Sequence, residues 1–82
     1  MAATQVDIRR WFETAKEQNA THLIVACDTW DWDDYPVYVD KSQDVRKEER
    51  RIQSSEMQKV MEVYNINMDM ESQLREYRSF NY

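Results

Sequence analysis

The chain has 82 residues, no glycine, one proline and one cysteine, and its 16 acidic side chains outnumber 11 basic ones for a formal net charge of −5. A chain this short makes one domain and hides only about 60% of its unfolded surface, so without a disulfide or a Cys/His zinc set its own core is marginal and self-association is the expected supplement. The acid excess argues against non-specific binding to nucleic acid or to an anionic membrane, and the longest apolar run, Leu23–Cys27, is too short to span a bilayer.

The opening MAATQVDIRRWF carries an early Asp7 and no apolar stretch of the kind a signal peptide needs. With a lone cysteine, a cytoplasmic location is the expectation. Thr4 and Asp7 have the spacing of a capping box. Ile8, Trp11, Phe12 and Ala15 then recur at helical spacing. A helix from Val6 to about Gln18 follows, with Trp11 and Phe12 in the core and Asn19 as a left-handed cap.

Thr21–Thr29 reads as a strand. Its apolar residues fall on both faces, so it should be covered on both sides. Alternation places His22, Ile24, Ala26 and Asp28 on one face, and Leu23, Val25, Cys27 and Thr29 on the other. The connection DTWDWDDY, residues 28–35, packs four aspartates and three aromatics into eight positions. Tyr35–Val39 is a second strand, with Pro36 at its start or on an edge. The short connection makes the pair antiparallel.

Ser42 is placed to cap a helix over Gln43–Gln53, with Asp44 in its first turn. Only Val45 and Ile52 are apolar there, so this helix is solvated or faces a partner. Ser55 and Gln58 suggest a second capping box, and Met57, Val60, Met61 and Tyr64 a helical stripe, which predicts helix over Glu56–Tyr64. After Asn65-Ile66-Asn67, a last helix capped by Asn67 or Asp69 would turn Met70, Leu74 and Tyr77 inward, leaving Ser79–Tyr82 as a frayed aromatic tail. Four of the five methionines lie between positions 57 and 70; they are core or an adaptable partner groove. The expected fold is α+β in a single domain, 1–82: an N-terminal helix, a two-stranded antiparallel β unit and two to three C-terminal helices, assembled as a homo-oligomer.

Asp28, Asp31, Asp33, Asp34 and Asp40 are hard oxygen donors of the kind a divalent cation takes, and paired carboxylates at a strand end suit metal-dependent phosphoryl chemistry. The stretch does not follow an EF-hand, lacking its glycine and its twelfth-position Glu, and no supporting Glu/His/Lys set lies nearby. The plainer reading is a solvated acidic loop whose aspartates cap turns, and no metal ligand is assigned. Asp28 and Thr29 differ, because they end the apolar strand where α/β sheets open into ligand crevices. Trp30, Trp32, Tyr35 and Tyr38 offer faces for a base. Phosphate would need cations, from Arg46, Lys47, Arg50 and Arg51 or from Arg75 and Arg78. The alternative is that these aromatics pack between subunits. Cys27 and His22 fall on opposite strand faces and cannot pair for nucleophilic catalysis; Cys27 reads as a small buried hydrophobe and His22 as a structural hydrogen-bonder. No catalytic residue and no cofactor is expected.

THLIVACDTWDWDDYPVYV is similar to a pattern in short proteins of bacteria and their phages, in which a Thr-His-apolar strand runs into Cys-Asp-Thr-aromatic-Asp and then Asp-Tyr-Pro-Val-Tyr-Val. MQKVMEVYNINMDMESQLREYRSFNY resembles the closing segment of the same proteins. The resemblance covers about half of the chain and falls on His22, Asp28, Thr29, Asp31, Asp34, Tyr35, Pro36 and Arg75. By analogy of size and pocket chemistry, such proteins resemble phage proteins that sequester nucleotide immune signals, for example ADP-ribose derivatives made by TIR enzymes. RKEERRIQSS lacks the Gly-rich phosphate cradle that such binding often uses.

The resemblance implies a non-enzymatic, anti-defence binding protein in the cytoplasm, of the host if phage-encoded. The reading of the residues and the resemblance together make the expected ligand contacts Asp28, Thr29, Trp30, Asp31, Asp34, Tyr35, Tyr38, Arg46, Arg50, Arg75 and Arg78. A protein-interaction module of a small oligomer and an Asp-dependent metal phosphoesterase remain open beside it.

Overall fold

In the computed structural model, which describes residues 3–82, the chain runs α1 (Gln5–Glu17), β1 (His22–Asp28), β2 (Asp33–Val39), α2 (Val45–Ser54), β3 (Gln58–Asn65) and α3 (Met70–Leu74). The strands form an antiparallel sheet in the order β2-β1-β3. None of the helices among the described residues is long and apolar enough to cross a membrane.

The α+β class and the antiparallel pairing of β1 with β2 agree with the expectation. α1 starts at the Thr4–Asp7 capping box, with Thr4 Oγ1 accepting from the Asp7 N–H and the Asp7 carboxylate accepting from the Thr4 N–H. Past its end, Asn19 takes the left-handed conformation at φ 59°. α1 buries Ile8 and Phe12 with Leu23, Val25, Tyr64 and Leu74 on one face of the sheet, and Trp11 packs against that cluster. α2 buries Val45 and Ile52 with Ile24, Ala26, Val39, Val60 and Val63 on the other face. The unbroken apolar run of β1 thus serves two cores.

The sheet has three strands where two were expected, because Glu56–Tyr64 is not helical. β1 is central and buried. A two-stranded unit would leave one of its edges with unpaired backbone N–H and C=O groups away from water, so a third strand is required. The predicted stripe of Met57, Val60, Met61 and Tyr64 does not line one face: Val60 packs on the α2 side, Met61 and Tyr64 pack on the α1 side, and a β-bulge lies between them. Glu62 pairs with Val25 and Val60 with Ala26, leaving Met61 as the extra residue. Val60 and Val63, three apart, therefore share the face toward α2.

Three smaller expectations also change. Asp44, not Ser42, caps α2, accepting from the N–H groups of Arg46 and Lys47; Ser42 instead donates to Asp40. Ser55 forms no second capping box and donates to the Arg51 carbonyl at the end of α2. Tyr77 lies beyond the short α3 and is exposed.

The tail is docked, not frayed. The Val63 N–H donates to the Ser79 carbonyl at 2.7 Å, and the Asn81 N–H to the Val63 carbonyl at 3.0 Å. This parallel bridge between Val63 and Phe80 lines the outer edge of β3. Tyr82 then reaches α2, donating its hydroxyl to Glu49 beneath the Arg46 guanidinium. On the opposite edge strand, Pro36 occupies the middle of β2.

Candidate functional site

The most distinctive end of the molecule is where β1 stops. Asp28 is flanked by Asp33 of β2 and Gln58 of β3. Its Oδ1 accepts from the Trp30 N–H at 2.9 Å, which starts the tight turn into β2. The Thr29 N–H donates to the Met57 carbonyl at 2.8 Å and joins this turn to the one between α2 and β3.

Two residues here adopt backbone that favours glycine: Trp32 at φ 59° and Met57 at φ 61°. The left-handed region costs a residue with a Cβ about 1–2 kcal/mol. In a chain without glycine, both positions are filled by large apolar side chains, and the burial that would offset the cost is absent. Trp30 is 75% exposed, Trp32 59% and Met57 53%. Lys59 lies over the Trp32 ring, 5.2 Å from its centroid. Exposed Asp31, Asp33 and Glu56 border these side chains in sequence. The end of the sheet is thus an apolar surface with an acidic rim.

On the α2 face, the Tyr35 hydroxyl donates to Gln58 Oε1 at 2.5 Å. Burial pushes the Tyr35 phenol up, the Asp28 charge adds to the shift, and Arg51 opposes it. Tyr35, Asp28, Gln58 and Arg51 therefore form one neighbourhood. On the α1 face, Asp34, Cys27 and Lys59 form a row across the strands, and Asp34 Oδ2 accepts from the Ala3 N–H at 2.9 Å. The Cys27 thiol is buried and pushed up, by burial first and then by Asp34, the opposite of what a nucleophile needs.

The expected ligand contacts separate into groups. Asp28, Thr29, Trp30 and Asp31 share the turn, with Asp34 and Tyr35 on opposite faces of the adjoining strand. Tyr38 packs into the α1-side core. Arg46 lies 3.8 Å from the Tyr82 ring centroid, and Arg50 is exposed on α2. Arg75 ends α3, where its charge acts on Asp69 and Glu71; Arg78 acts on Glu62. One chain does not gather these arginines around Asp28.

His22 sits at the other end of β1. Its ring nitrogens meet Thr21 Oγ1 at 2.9 Å and the Tyr82 carbonyl at 3.1 Å, a structural role. Among the described residues, no three His, Cys, Asp or Glu side chains are placed to hold a metal ion. A hollow of about 460 Å³ lies on α2, lined by Ser42, Gln43, Asp44, Lys47, Glu48 and Arg51; none of the turn residues reaches it.

Sequence reasoning missed Met57, Gln58 and Lys59 as neighbours of Asp28. They lie at the start of β3, where the spacing predicts helix, and that hides their position beside β1. A signal for them was present in the need of β1 for a second partner. Comparison with protein families, with curated proteins and with solved structures finds no match.

Proposed function

We propose that this protein is a binding module, not a catalyst, and that it engages a partner protein through the aromatic end of its sheet. The observation that carries this reading is the pair of glycine-like backbone positions, Trp32 and Met57, that hold large apolar side chains out in water. Strained backbone persists where the surroundings impose it and clusters at functional sites. Tryptophan is among the residues that dominate contact energies at protein interfaces. The surface is a turn and not a cavity, which suits a macromolecular partner better than an enclosed small molecule. Incorporating a photo-crosslinking phenylalanine analogue at Trp30, with a second placed at exposed Tyr77 as control, tests it in cells. A discrete adduct at position 30 alone, competed away by unmodified protein, is expected. Equal labelling from both positions, or none from either, removes the reading.

A second reading, sequestration of a nucleotide-type ligand in the cytoplasm, is favoured by the Asp28 carboxylate. Its Oδ1 holds the turn, and a carboxylate next in sequence to exposed indoles is of the chemistry that accepts from a ribose hydroxyl while a base stacks. Calorimetric titration with ADP-ribose and with cyclic nucleotides tests this; heats indistinguishable from dilution for all of them would end it. The geometry gives no comparable support to a metal phosphoesterase.

A further inference from the structure

We infer that the aromatic turn takes a basic segment of another protein, with an arginine guanidinium stacked on the Trp30 indole and the surrounding carboxylates meeting its charge. This rests on the reading of the turn as a contact surface and adds the chemistry of the partner. Three observations carry it.

The first is where the molecule compensates its own charge. Among the described residues the ion pairs are Arg9–Glu71, Arg10–Asp7, Lys16–Glu13 and Arg51–Glu48. All of them lie on the helices. Asp28, Asp31 and Glu56, which border the exposed indoles, take part in none of them. The rim therefore keeps an attraction for cations that the chain's own side chains do not use, and charge of one sign on a contact surface selects a partner of the other.

The second is ring chemistry. Lys59 lies 5.2 Å from the Trp32 ring centroid, so this surface already seats one cation on an indole. Trp30 is the more exposed of the two indoles, and among the described residues no cation lies over it. Of the aromatic faces, indole attracts a cation most strongly. A guanidinium is planar, so it stacks on the ring while its N–H groups reach carboxylates at the side.

The third is the source of the cation. Arg9, Arg10 and Arg51 are held by the ion pairs above, and Arg46 lies over the Tyr82 ring. The cation for Trp30 thus comes from another chain. Exposed Trp32 and Met57 add apolar area at the same end of the sheet, which suits a segment carrying apolar side chains beside its arginine better than a free ion.

The test is a selection of phage-displayed random linear peptides on the immobilised full chain, keeping those whose binding is lost on Trp30→Ala. Trp30 is exposed, so this variant should keep the wild-type circular dichroism and melting temperature. Peptides that depend on the turn should be enriched in arginine next to apolar residues. A synthetic peptide from that set, titrated by fluorescence anisotropy, should bind about fivefold more weakly when citrulline replaces its arginine, the scale of an exposed cation–π contact. Asp31→Asn with Glu56→Gln should weaken it comparably and flatten its salt dependence. Glu13→Gln with Glu17→Gln, the same loss of charge at exposed positions of α1, should leave binding unchanged. Turn-dependent peptides without an excess of arginine, or a citrulline peptide that binds as well, overturn this inference and leave the turn as a contact surface. Equal weakening by the two carboxylate pairs does the same, because attraction to net charge alone would explain it. A selection that yields no Trp30-dependent peptide overturns both the inference and the reading beneath it.

Discussion

The Arg46 guanidinium lies over the Tyr82 ring, its Cζ 3.8 Å from the centroid, and fastens Tyr82 to the middle helix. The Tyr82 hydroxyl donates to Glu49 in the same contact, and its phenol is pushed up to about 12, by burial first and then by that carboxylate. Through this anchor and the Val63 bridge, the tail completes the outer edge of β3.

Replacing Tyr82 with alanine should therefore cost about 1 kcal/mol, the scale of an exposed cation–π contact, read from the urea midpoint. Removing residues 79–82 should do more, because the Val63 N–H loses its acceptor. Hydrogen exchange should speed up at Val63 before it changes at Leu23 or Val25, whose partners lie within the sheet. Unchanged protection at Val63 would show that the docked tail contributes nothing.

Met57→Gly should stabilise the protein by about 1 kcal/mol, against the usual effect of introducing glycine. At φ 61° the methionine carries a Cβ where glycine would carry none, and its exposed side chain offers little packing to lose. Urea denaturation checks the sign. A loss of stability would mean that the methionine side chain supports the turn.

Glu62 gives a pH-dependent prediction. It is half-buried on the α1 face, where burial pushes its carboxyl up and hydrogen bonds from the Tyr64 hydroxyl and the Ser79 N–H only partly offset this. The folded chain then holds the Glu62 proton more tightly than the unfolded chain. Its contribution to stability is greatest below the ordinary glutamate range and is lost as pH rises through the elevated folded value. Glu62→Gln, which mimics the protonated form, should be more stable than wild type at neutral pH, and the gain should vanish at acid pH. Melting temperatures across that range decide it; a gain independent of pH would exclude the charge as the cause.

The cap of α2 can be checked by paired substitutions. Asp44→Ala removes the acceptor for two backbone N–H groups and should cost about 1 kcal/mol. Ser42→Ala should cost clearly less, because its partner Asp40 lies in an exposed turn. Equal losses from chemical denaturation would mean that Asp44 is not the dominant cap.

Local chemistry made part of this fold readable. The Thr4–Asp7 pair, the stripe through Ile8 and Phe12 and the left-handed Asn19 mark α1 without tertiary help. The doubly apolar β1 announces that it is covered on both sides. β3 is hidden because its apolar residues serve both faces, Val60 and Val63 one and Met61 and Tyr64 the other, so that a helical spacing can be picked out among them, and only the hydrogen-bonding needs of β1 betray it. The tail misled for a similar reason: its order comes from the Val63 backbone and from Arg46, both remote in sequence. At the site, residues 28–31 were found because they are contiguous, whereas Met57, Gln58 and Lys59 arrive through the misread strand. The arginines were grouped by composition, yet the packing of α2, α3 and the tail disperses them.

Pro36 and the docked tail have a shared consequence for colloidal behaviour. A sheet built on an unbroken apolar strand invites further chains to add at its margins and grow into fibrils. Pro36 withholds an amide on one margin, and Phe80 lies across the other. Both guards should therefore hold back edge-to-edge growth, and losing the last four residues should open the β3 side to it.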